Sequence, residues 1–162
     1  MQNTNFSITT VYKNWLSSVK NDKTTETELK SIENNEKEIT DRFYCDLKFG
    51  TGGLRGKLGA GTNRMNVYTV GRATRGLAAY INKTASGNKS VVIAYDSRNM
   101  SRKFAFLAAD IFSEAGVKAY IFNTLMPTPV LSFAVRYLKT SAGIVITASH
   151  NPKEYNGYKV YN

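Results

Sequence analysis

The sequence predicts an α/β domain, a mixed and mainly parallel sheet flanked by helices, with a helical arm in front of it. Three observations carry this. From Ser90 onward short apolar runs alternate with helical patterns, and those runs are apolar on both alternating faces, as strands covered by helices on each side must be. Charge divides the chain: residues 1–46 hold six Lys/Arg against eight Asp/Glu, and residues 47–162 hold sixteen against four. At 162 residues the chain has the length of one domain with one main core, and a charged fraction of 21% beside 42% hydrophobic residues excludes disordered, collagen-like and coiled-coil classes.

In chain order, a short helix around Val11, Trp15 and Val19 is followed by an amphipathic helix over residues 25–44, whose stripe runs through Leu29, Ile32, Ile39 and Phe43. Lys48 to Arg64 carries Gly50, Gly52, Gly53, Gly56, Gly59 and Gly61, a density that reads as loop and turn. Asn66 starts a helix through Val67, Val70, Thr74, Leu77, Ala78 and Ile81. A strand Val91–Tyr95, a helix capped by Ser101, a strand Lys118–Phe122, a helix after Pro127 and Pro129, and a strand Gly143–Thr147 complete a βαβαβ unit. Asn156-Gly157 reads as a hairpin turn beside a last strand at the C-terminus, and a chain stopping there reads as truncated. The expected division is a helical arm over 1–46 and a sheet domain over 47–162.

Composition excludes several classes. One cysteine, Cys45, and one histidine, His150, cannot form an internal disulfide or a structural zinc site. No long apolar stretch and no basic-then-apolar leader is found, so a cytoplasmic protein without a membrane partner is expected. Between Leu47 and Tyr95 there is no acidic residue among eight cations, a field suited to anions: phosphorylated metabolites, nucleic acid, or an acidic partner.

Ligands of open α/β sheets sit beyond the carboxyl ends of the strands, which directs attention to Asp96-Ser97-Arg98, Asn123-Thr124 and Ala148-Ser149-His150-Asn151-Pro152. The last group sets a hydroxyl, an imidazole and an amide side by side. A serine hydroxyl needs a base or a cationic surrounding to act as nucleophile, and His150 or Lys159 can supply one; the same group also fits a plain turn in which Ser149 and Asn151 satisfy backbone groups. The Gly50–Gly56 segment can cradle an anion with its amides while Arg55 adds a fork, yet it lacks both the dinucleotide and the P-loop spacing, and a flexible linker remains open.

Five segments in order, Phe49-Gly50-Thr51-Gly52-Gly53-Leu54-Arg55-Gly56 with Gly61-Thr62-Asn63-Arg64-Met65-Asn66, Ala94-Tyr95-Asp96-Ser97-Arg98, Pro127-Thr128-Pro129, Thr147-Ala148-Ser149-His150-Asn151-Pro152 and Tyr155-Asn156-Gly157-Tyr158-Lys159, resemble the N-terminal domain of the α-D-phosphohexomutases. Within that superfamily the chain is most similar to the phosphoglucomutase and phosphopentomutase-like group. The resemblance implies that Ser149 is carried as phosphoserine and exchanges its phosphoryl group with a hexose phosphate through a bisphosphate. It implies that Ser149, Lys159 and His150 are catalytic, Lys159 contacting the phosphoryl group or assisting proton transfer, that His150 and Asn151 shape the nucleophile loop, and that Thr51, Gly52, Arg55, Arg98 and Asn151 bind phosphate or substrate.

It further implies Mg²⁺ held through the phosphate on Ser149 and by three aspartates of an Asp-Gly-Asp-x-Asp-Arg loop, which this sequence lacks. Glucose 1,6-bisphosphate is the implied activator, and a phosphosugar and the remaining domains of the same polypeptide are the implied partners. The fragment by itself is then expected to be inactive. Phosphopentomutase or phosphomannomutase activity is the near alternative. A basic nucleic-acid-binding module, suggested by a pI of 9.7 and ten tyrosines, is the distant one, because those tyrosines are scattered and no RNA-binding motif is found.

Overall fold

The computed structural model describes residues 7–50 and 52–161. The arm holds three helices, α1 (Ile8–Ser18), α2 (Lys23–Ser31) and α3 (Glu36–Phe43), where the sequence pattern suggested two. The expected helix over 25–44 is broken because Asn35 turns its side chain onto the Glu38 amide and caps a new helix, which ends the stripe's continuity after Ile32. Tyr12, Val19, Leu29, Ile32, Ile39 and Phe43 nevertheless face one another and form a small core that also takes in Ala60.

The sheet has five strands in the order β1-β5-β4-β2-β3, where β1 is Gly53–Lys57, β2 Ser90–Tyr95, β3 Lys118–Ile121, β4 Ala142–Ile146 and β5 Tyr155–Tyr161. The pairs β2–β3 and β2–β4 are parallel; β4–β5 and β5–β1 are antiparallel. Between them run α4 (Val67–Thr84), α5 (Ser101–Glu114) and α6 (Thr128–Leu138). Asn66 caps α4 as expected, in a capping box with Thr69.

Three expectations are corrected here. The glycine-rich segment is not all loop, because Gly53–Lys57 pairs residue for residue with β5, Gly53 opposite Lys159 and Arg55 opposite Gly157. Gly53 holds φ 131, and a Cβ there would collide with the Tyr158 carbonyl oxygen, so the glycine permits the close strand entry. Asn156-Gly157 is not a turn but lies inside β5, fully buried at Asn156; a Cβ on Gly157 would meet the Thr147 carbonyl oxygen at 2.6 Å. Ser101 does not cap α5: Met100, at φ 68, occupies that position, and the Ser101 hydroxyl donates instead to Asp96 at 2.7 Å.

Helices α4 and α5 cover one face of the sheet along its width, burying Leu54, Val91, Ile93, Tyr95, Ile144, Ile146 and Tyr158 around Phe104 and Phe112. On the opposite face α6 packs on β2 and β4, where Leu131 and Val135 meet Val92, Ala94 and Val145. Strand alternation then puts Arg55, Lys57, Tyr155 and Lys159 on the α6 side of β1 and β5, with Arg55 and Lys57 exposed and Lys159 half-buried.

Candidate functional site

Strand β4 ends at Ile146, and the chain runs through Thr147–Glu154 before returning as β5. This connection begins under tight backbone control, with the Thr147 amide donating to Gly157 O at 3.0 Å and the Thr147 hydroxyl accepting from the Ser149 amide at 3.0 Å. Ser149 stands exposed at φ 57, in the left-handed region that a residue with a Cβ rarely occupies. Strain of this kind persists where surrounding bonds over-determine it, and it concentrates at functional sites. The hydroxyl Oγ lies 3.4 Å from His150 Nδ1, too long for a strong bond but close enough for His150 to orient the group.

Arg55 reaches up from β1 and donates to the Asn151 side-chain oxygen at 3.0 Å, across 96 residues of sequence. The loop is thereby joined to the cationic side of β1 and β5. Lys159 is opposite Val145 on one side and Gly53 on the other, placing it on this same side of the sheet. Among the described residues its ammonium group has no hydrogen bond or ion pair. Gly52 leads into β1, and its carbonyl accepts from the Val160 amide at 3.4 Å. Thr51 lies outside the described residues.

Arg98, expected to bind phosphate or substrate, lies against the loop that carries Ser149. Its guanidinium donates to the carbonyl oxygens of Ser149, Asn151, Pro152 and Tyr155, and pairs through Nε with Asp96 at 3.4 Å. The basic tract is also thinner than composition implied: Arg64 is 5% exposed and bonded to Asp41, so it fastens the loop after β1 to the arm.

Sequence reading gave no role to three residues of the site's surroundings. Asp96 accepts from the Arg98 amide and the Ser101 hydroxyl, and buried Asn156 donates to Ser101 Oγ and Asn99 O, each at 2.9 Å. Lys57 joins Arg55 on the open face through the register of β1, a strand the composition concealed. Among the described residues no three His, Cys, Asp or Glu side chains gather where they could hold a metal ion, and no helix is long and apolar enough to cross a membrane.

A five-stranded sheet layered between helices, with a strained serine just beyond the end of a parallel strand, defines an α/β/α domain with its candidate site at the carboxyl end of the sheet. The family profile "Phosphoglucomutase/phosphomannomutase, alpha/beta/alpha domain I" matches residues 46–162, and the chain belongs to that family. It is 52% identical to a phosphoglucomutase of Staphylococcus haemolyticus over 119 residues, 74% of this chain and 22% of that protein. It is 44% identical to a Homo sapiens phosphopentomutase over 156 residues, 91% of this chain and 26% of that protein. A crystal structure described as a putative phosphomannomutase from Thermus thermophilus superposes with a TM-score of 0.66 at 32% identity, covering 73% of this chain and 26% of the other. The chain thus spans about a quarter of the length of the relatives it matches.

Proposed function

We propose that this chain is the phosphoryl-carrying domain of a phosphosugar mutase that interconverts hexose 1-phosphate and hexose 6-phosphate through a bisphosphate. The observation that carries this reading is the strained, exposed Ser149 set in a loop that Arg55 ties to the Lys159 face of the sheet. In the first half-reaction a sugar hydroxyl attacks phosphorus on phospho-Ser149, the P–Oγ bond breaks, and the proton from the sugar passes by way of the site's base to the serine oxygen. The second half-reaction reverses this with the phosphate at the other end of the sugar. Such transfer asks for positioning and for charge around a dispersed anionic transition state, which Lys159 and Arg55 supply. His150 orients the hydroxyl once the phosphate has left.

Magnesium, implied by the resemblance, would offset further charge when bound. The described residues do not make a site for it: the chain offers an oxygen of a phosphate on Ser149, while Asp96 is engaged by Arg98 and Ser101. The ion's other ligands, the sugar-reading elements and the activity of the whole protein therefore lie outside this chain in the proposal. The chain alone is inactive, glucose 1,6-bisphosphate is the phosphoryl source, and the setting is cytoplasmic. A phosphopentomutase reading is favoured by one observation, that similarity to the human phosphopentomutase extends over 91% of the chain and so into the arm.

Incubating the whole polypeptide that carries this domain with glucose 1,6-bisphosphate should place phosphate on Ser149, read by peptide mass spectrometry, and Ser149→Ala should abolish turnover. Phosphate on Ser97 or Ser101 with Ser149 unmodified would overturn the proposal.

A further inference from the structure

We infer that Arg98 is the positioning residue of the nucleophile loop, a clamp whose four Nη donors hold the loop, and with it Ser149 in its strained conformation, while Nε pairs with Asp96. This rests on the reading of Ser149 as the phosphoryl carrier. A guanidinium has five N–H donors in one plane. In this chain Nη2 donates to Ser149 O at 2.7 Å and Asn151 O at 2.6 Å, Nη1 to Pro152 O at 2.9 Å and Tyr155 O at 3.2 Å, and Nε faces Asp96.

The clamp is itself anchored. Its side chain is 15% exposed, and the Asp96 carboxylate that faces Nε also accepts from the Arg98 amide at 3.0 Å and from Ser101. Ser101 in turn receives a bond from fully buried Asn156 of β5, so a continuous chain of bonds runs from the sheet interior to the loop. Four carbonyls spread over seven residues converge on one cation. Without it they would lose a charge-assisted partner together, and Ser149 would lose a bond that fixes its left-handed backbone. Lysine cannot replace this arrangement, since three donors on a point charge do not span a planar array of four acceptors and a carboxylate.

The test uses the whole mutase polypeptide carrying this chain, with Arg98→Lys, Arg98→Ala, Asp96→Asn and Ser149→Ala compared. The clamp predicts that both Arg98 variants lose at least about a hundredfold in kcat with KM for glucose 1-phosphate within about threefold, because ground-state phosphate binding is not touched. Added guanidinium ion should restore part of the Arg98→Ala turnover, and ammonium should not. Amide hydrogen exchange over residues 148–155 should accelerate in each Arg98 variant. Should an Arg98 variant fail to fold, Asp96→Asn carries the test, with faster exchange in the loop and a roughly tenfold lower kcat expected. A large rise in KM at unchanged kcat, near-normal turnover of Arg98→Lys, or loop exchange unchanged in folded variants would each overturn the clamp. Undiminished turnover of Ser149→Ala would sink the phosphoserine reading instead, and the loop exchange would still decide the clamp.

Discussion

The two halves of the sheet are built from the same kind of strand and finished differently. Around β2 and β4 both faces are covered, by α4 and α5 on one side and α6 on the other, and every residue of β2 and β4 is buried. Across β5 and β1 the α4–α5 side is equally packed, through Leu54 and Tyr158, but the other side carries Arg55, Lys57 and Lys159. Parallel strands joined by helices must be covered on both faces, whereas an antiparallel pair tolerates one open face. The fold thus leaves a cationic open face on the strands next to the Ser149 loop. The difference teaches a division of labour: one half supplies rigidity, and the other presents charge.

Substitutions that separate these roles sharpen the comparison. In the whole polypeptide, Lys159→Ala should lower turnover on the order of a hundredfold or more, against less than about twofold for Lys153→Ala in the exposed loop, as steady-state kinetics will show. Similar small effects from both would mean that position on the open face carries no functional weight. Leu131→Ala, fully buried between α6 and the sheet, should cost about 3 kcal/mol in urea unfolding of this chain. On the proposed reading, its folded fraction should keep the phosphate affinity expected of the unaltered chain.

The arm gives a smaller effect with its own pH signature. Arg64→Ala removes the buried partner of half-exposed Asp41 and should cost about 2 kcal/mol, less than a fully buried pair because solvent screens the carboxylate. In the folded chain the Arg64 hydrogen bond holds the Asp41 carboxyl below its ordinary 3.8, and bonds from Lys30 and Lys23 hold Glu26 at about 2 against an ordinary 4.5. Carboxyls depressed by folding contribute stability above their unfolded values and lose it as pH falls through the folded ones. The arm should therefore loosen between pH 4.5 and about 2, followed by fluorescence of Trp15, which packs edge-on against Phe43. Arg64→Ala should weaken that transition's Asp41 component below pH 3.8.

Much of this was legible in the sequence, and the failures share a cause. The βαβαβ unit could be read because each strand and helix is specified by its own local pattern, and Asn66 announces α4 by its cap. Strand β1 was hidden because its determinants lie far along the chain, in the register of Leu54, Arg55 and Gly56 with Tyr158, Gly157 and Asn156. Asn156-Gly157 carried a true turn signal that was outweighed by burial, since the Asn156 side chain is bonded to Asn99, Ser101 and the Gly157 amide. Of the site, Ser149 stood out by its motif, whereas Arg98 could be placed near the site but not given its role: its bonds to the loop span 51 to 57 residues.

On the proposed reading the open half of the sheet recognises anions, and a titration tests this most directly. Glucose 1,6-bisphosphate added to the isotopically labelled chain should shift backbone amide resonances of residues 52–57, 148–151 and 157–159, in a salt-dependent way, while those of α6 stay in place. Shifts centred instead on the Arg102 and Lys103 face of α5, or on the arm, with the Ser149 loop and β5 unmoved, would place anion recognition elsewhere and overturn this assignment.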